Sequence, residues 1–157
     1  MKINRKLIAE LAMVSVAFTA CQEPELNTGL DATLAGPSAV TYDETGSGAD
    51  AIAVYWDAKE AVAAGATSFT LQLLNKADEN PDPYSVNKTV LVTSNYEGSP
   101  LVEEGDAACD QYQFSGLTKG KSHWVRIRAN YPNSVFTEWV YLLDNDAPAR
   151  IKVGEGI

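Results

Sequence analysis

Few side chains in this 157-residue chain are able to do acid–base, nucleophilic or metal chemistry. His123 is the single histidine, so a Ser-His-Asp or Cys-His arrangement would have to use it. It falls in step with Val125, Ile127 and Ala129, which places it on the inward face of a strand beside a turn and argues for a structural role. Cys109 is followed by Asp110, and a neighbouring carboxylate raises a thiol's pKa and disfavours a reactive thiolate. The candidate ligands are too few for zinc. Carboxylates gather in two loops, Asp78-Glu79-Asn80-Pro81-Asp82 and Glu103-Glu104-Gly105-Asp106. Calcium takes oxygen ligands on flexible loops, but the spacing matches no loop motif of about twelve residues, and solvated charge is the expected role. A carboxylate pair for glycoside cleavage needs a cleft to hold the sugar, and no insertion is large enough to build one. Asn87-Lys88-Thr89 is a formal glycosylation sequon. No catalytic residue, metal or cofactor is expected, and the chain does not read as an enzyme.

Aromatic rings offer the other possibility. Tyr55, Trp124, Trp139 and Tyr141 fall on outer strand faces or close to them, where flat rings stack on sugars or anchor partners. Arg126 and Arg128 share the outer face with Trp124. Arginine over a ring is a cation–π contact contributing roughly 0.5–1 kcal/mol when exposed. These six residues read as a ligand-contact face or, as a family resemblance of residues 136–140 implies, as a structural cation–π ladder, and the ladder is preferred.

The elements that position them are strands. Ile52, Val54 and Trp56 share one face, with Ala53 and Tyr55 opposite. Phe69, Leu71 and Leu73 alternate with Thr70 and Gln72. Val90 and Val92 predict a shorter strand, Tyr112, Phe114 and Leu117 end another inward run, and a last strand is expected over residues 135–143. Gly and Pro punctuate the gaps. About seven short strands at this spacing predict an all-β, antiparallel sandwich. Residues 58–66 are Ala-rich and have room for one helical turn.

The N-terminus carries an address. Lys2, Arg5 and Lys6 precede an apolar stretch over residues 11–18, and Phe18-Thr19-Ala20 lead directly to Cys21. That is the layout of a secretory signal peptide over residues 1–20. The stretch is shorter than the roughly 20 apolar residues needed to span a bilayer. With cysteine at the cut it resembles a bacterial lipoprotein signal, which implies acylation of Cys21 and a lipid-anchored protein. Gln22, by resemblance to Gram-negative lipoproteins, implies the outer membrane. Glu23 and Glu25 resemble the export signals of surface lipoproteins from glycan-degrading Gram-negative anaerobes. Residues 21–35 then form the acylated cysteine and a flexible tether.

The formal net charge is −9, and removal of residues 1–20 takes away three cations and one carboxylate, making it more negative. Such a surface repels nucleic acid, so no nucleic-acid partner is expected. With Cys21 acylated, Cys109 has no disulfide partner and the fold must rest on its core.

Over residues 36–144 the chain resembles a fibronectin type III domain. Trp56 matches the core Trp of the second strand and Phe69 the aromatic of the third. Leu117-Thr118-Lys119-Gly120-Lys121-Ser122-His123 resembles the stretch from a Leu through a Pro-Gly turn to the corner Tyr, with Lys119 in place of Pro and His123 in place of Tyr. His123 departs from the family's Tyr but keeps a polar tip on a flat ring, able to form the corner hydrogen bond. Phe136-Thr137-Glu138-Trp139-Val140 resembles the Trp-Ser-x-Trp-Ser box, whose ring stacks between arginines of the next strand. Residues 145–157 read as a linker or the start of a further strand or domain, since Arg150-Ile151-Lys152-Val153 alternates anew. The expected function is a non-catalytic surface module with a binding or spacer role, in contact with a glycan or an outer-membrane protein. The alternative is the N-terminal module of a longer surface glycan-processing enzyme or of a nutrient-uptake assembly.

Overall fold

A computed structural model describes residues 29–77, 85–94 and 109–157. The expected signal peptide, Cys21, most of the tether and both acidic loops lie outside the described residues. In chain order the elements are β1 (Ser38–Gly48), β2 (Ala51–Asp57), α1 (Lys59–Ala63), β3 (Ser68–Leu74), β4 (Val86–Thr93), β5 (Cys109–Phe114), β6 (Ser122–Tyr131), β7 (Val135–Phe136), β8 (Val140–Tyr141), β9 (Leu143–Asp144), β10 (Ala147–Pro148) and β11 (Ile151–Lys152). A 3₁₀ turn over Pro132–Ser134 joins β6 to β7.

All strand pairs are antiparallel among the described residues. Of the two main sheets, one has the order β1-β2-β5 and the other β11-β6-β3-β4, with β7 and β8 also paired to β6; β9 and β10 form a small two-stranded third. The inward residues predicted from alternation meet between the two main sheets. Ile52, Val54 and Trp56 of β2 and Phe114 of β5 join Phe69, Leu71 and Leu73 of β3 and Val125, Ile127 and Ala129 of β6 in one core. Trp56 meets Phe69 edge to face at 5.6 Å between ring centres. Each large side chain so buried contributes about 1.5–3 kcal/mol. The fold is an antiparallel β-sandwich.

The Ala-rich segment is one helical turn. Ala58 and Ala61 are fully buried, so small side chains let the turn lie close on the core. Gly65, at φ +110°, ends it: Gly65 N–H donates to the Val62 carbonyl and Ala66 N–H to the Ala61 carbonyl. This is a Schellman stop, which needs a left-handed residue.

The strand expected over residues 135–143 is broken. β8 pairs Ile127 with Val140, whereas β7 pairs Asn130 with Phe136, so three residues face two on β6. The extra residue is a bulge. Thr137 turns inward, 4% exposed, and its Oγ1 accepts a hydrogen bond from Ala129 N–H at 3.0 Å.

Ala53, expected on an outer face, is fully buried. Strand β1 curls over it between Asp43 and Gly48, where its pairing with β2 shifts register. Asp43 Oδ1 accepts from Thr45 N–H and Gly46 N–H, and Ser47 Oγ accepts from Ala53 N–H.

Residues 145–157 pack on the same frame. Strands β9 and β10 form a hairpin whose loop residues Asn145 and Asp146 both have positive φ, as a tight primed turn requires. Ala149, Ile151 and Val153 enter the core, and β11 pairs with β6 at His123 and Ser122. The compact unit runs over Asp31–Ile157. Among the described residues no helix is long and apolar enough to cross a membrane.

Candidate functional site

Two arginines dominate the outer face of the β6 sheet. Alternation along β6 sends Val125 and Ile127 inward and Arg126 and Arg128 outward. Arg126 stands opposite Gln72 on β3 and Tyr141 on β8. Its Nε and Nη2 both donate to Gln72 Oε1, at 2.9 and 2.6 Å, and Nη1 donates to the Tyr141 hydroxyl at 3.4 Å. The Trp139 ring covers it, with Cζ 4.2 Å from the ring centre. Arg128 lies between Phe136 at 3.9 Å and the same Trp139 ring at 4.7 Å. The stack therefore runs Phe136, Arg128, Trp139, Arg126.

The bulge makes this stack possible. In an unbroken strand residues 136 and 139 point to opposite faces. One extra residue restores both rings to the outer side, against the same guanidinium. Packing leaves Arg126 only 7% exposed. Burial, followed by the like charge of Arg126, lowers the pKa of Arg128 from its ordinary range.

The sequence-predicted residues thus separate. Trp139, Arg126, Arg128 and Tyr141 come together. Trp124, half-buried opposite Leu74 at the start of β6, stacks on neither arginine among the described contacts. Tyr55 lies in the other sheet, between Thr41 of β1 and Gln111 of β5. Sequence reasoning missed Phe136 as a member of the stack and Gln72 as the acceptor for Arg126. The outward position of Gln72 was legible, but its register against Arg126 was not.

His123 is 4% exposed on the inner side. Its ring bonds to the Leu74 backbone on β3, and Nδ1 is buried with no partner. The hydrogen bond crosses to the neighbouring strand. Burial lowers its pKa below the ordinary 6.5, the Leu74 bond opposes that, and the Lys88 charge lowers it further. His123 also lines a cleft of about 430 Å³ with Asn75, Asn87, Lys88, Thr118 and Lys121. A second hollow, about 700 Å³, lies along β1, with Tyr42, Glu44, Lys119, Leu143 and Ile157 in its wall. Among the described residues no group of three or more His, Cys, Asp or Glu is placed to hold a metal ion.

No family model and no curated protein matches the chain. Among solved structures it is similar to a fibronectin type III domain of human collagen alpha-1(XX) chain, at 14% identity and a TM-score of 0.47, over 82% of this chain and 93% of that one. It is also similar to a structure described as a myokine, at 12% identity and a TM-score of 0.40, over 70% of this chain and 96% of that one.

Proposed function

We propose that this chain is a non-catalytic module of a lipid-anchored surface protein, held by an acyl group on Cys21 and projecting its sandwich for binding or spacing. The observation that carries this reading is the setting of His123. The one imidazole of the chain is buried and bonded to strand backbone, an arrangement suited to packing and not to proton transfer with a substrate. The arginines support it in the same way, since aromatic rings stack on both guanidiniums and the Gln72 amide oxygen accepts from that of Arg126.

Contact with a glycan is then assigned to Trp124, an outer-face ring outside the stack. Trp139 serves the sheet. A panel of surface polysaccharides, scored by retention on affinity gels, tests the assignment. Trp124→Ala is expected to abolish retardation with the melting temperature unchanged. Retardation unchanged in Trp124→Ala would overturn it. The anchor is tested by the intact mass of the protein extracted from native membranes. A mass of residues 21–157 plus acyl chains supports the module as the whole unit. A much larger mass would favour the alternative, the front module of a longer surface enzyme or uptake assembly.

A further inference from the structure

The cleft beside His123 has a chemistry that the sandwich does not use. It lies between the end of β3, the start of β4 and the turn leading into β6. Its volume of about 430 Å³ is within the usual range for small-molecule sites, roughly 300–1,000 Å³. Among the described residues its wall holds two cations, Lys88 and Lys121, and no carboxylate. This is unusual on a chain of net charge −9, in which carboxylates outnumber cations. Charges of one sign in a concave, low-dielectric wall focus their field on whatever enters.

The groups have some internal order. Lys88 Nζ donates to the Ser115 carbonyl, which holds the ammonium at the cleft and leaves it further N–H donors. Its charge is felt at the His123 ring. Asn87 Nδ2 donates to Asn75 Oδ1, so the Asn75 amide group remains able to donate. Thr118 and Ser122 add hydroxyls. His123 itself is more than nine-tenths buried, with Nδ1 lacking a partner.

We infer that this cleft binds the carboxylate or sulfate of a small anionic ligand, with an acidic or sulfated sugar as the ligand class. The ammoniums of Lys88 and Lys121 form charge-assisted hydrogen bonds with the oxyanion. The amides and hydroxyls around them bind the hydroxyl groups of a sugar ring. The sugar part rests on the reading of the chain as a glycan-contacting module; the oxyanion part does not.

Three probes separate these parts on the full-length chain: inorganic sulfate, glucuronate and glucose, each followed by the NMR signals of His123 and Lys121. Sulfate and glucuronate are expected to move both signals, and glucose to leave them still. Binding of glucuronate about tenfold tighter than sulfate supports the sugar. Equal affinities would overturn the sugar part and leave a bare oxyanion site. No movement with either anion, or equal movement with glucose, would overturn the whole inference. Lys121 is exposed, so Lys121→Gln is expected to fold normally and to weaken anion binding about tenfold or more. Unchanged binding in that variant also overturns the site. Asp78, Glu79 and Asp82 follow Asn75 in the chain, and titration of the full chain includes their effect. The Trp124→Ala experiment reads a different surface, so failure of one reading does not conceal failure of the other.

Discussion

The guanidinium carbon of Arg126 lies 4.2 Å from the centre of the Trp139 ring, and the same ring lies 4.7 Å from that of Arg128. One indole therefore contacts two like charges on adjacent outward positions of β6. Trp139→Ala removes both contacts and leaves the guanidiniums to repel one another. The expected loss is about 1–2 kcal/mol, the sum of two partly desolvated cation–π contacts. Urea unfolding checks it, with Trp124→Ala as the smaller comparison. Equal losses in the two variants would argue against the stack as the reason for keeping Trp139.

His123 makes stability depend on pH. Its pKa is lowered in the folded state, chiefly by burial, from an ordinary value of 6.5. The unfolded chain therefore takes up the proton first as pH falls. The contribution is fully present above 6.5 and is lost as pH drops from there through the lower folded-state value. His123→Gln is expected to flatten the melting temperature across that window. Because the chain has one histidine, an unchanged slope in the variant would assign it to other groups.

Gly46 is required by contact, not by its backbone angle. A Cβ there meets Asp43 Oδ2 at 2.5 Å and the Ala53 Cβ at 2.8 Å. Asp43 is not free to yield, since its two oxygens accept from Thr45, Gly46 and Gln111. Gly46→Ala is expected to cost about 1–3 kcal/mol, as overpacking does. Gly48, which has nothing within 4 Å of its Cβ position, is the control, and Gly48→Ala is expected to be milder. Thermal melts of the pair read the difference.

Ile151 joins residues 145–157 to the core. It is fully buried and pairs with His123 across β11 and β6. Ile151→Ala is expected to cost about 2–5 kcal/mol, the range for a buried large-to-small change. Arg150→Ala, at the exposed neighbouring position, is expected to stay within about 0.5 kcal/mol. Equal and small effects would mean that this segment does not stabilise the sandwich.

Alternation of period two, as in Ile52-Val54-Trp56 and Phe69-Leu71-Leu73, was enough to determine the two-sheet class, because an apolar face must find another to cover it. The arginines of β6 and the indole of Trp139 were also legible as candidates, since residue type and strand parity are local properties. Their meeting was not. It depends on one bulge residue between Phe136 and Val140 and on the register that sets Gln72 against Arg126. The same holds for Ile151 and Val153, whose alternation suggested a new beginning and whose core place comes from a hairpin at Asn145-Asp146 folding the chain back. Sequence by itself determined which faces are apolar and which residues carry charge or rings. Tertiary structure decided which of them touch, because register and bulges are chosen by the summed packing of strands far apart in the chain.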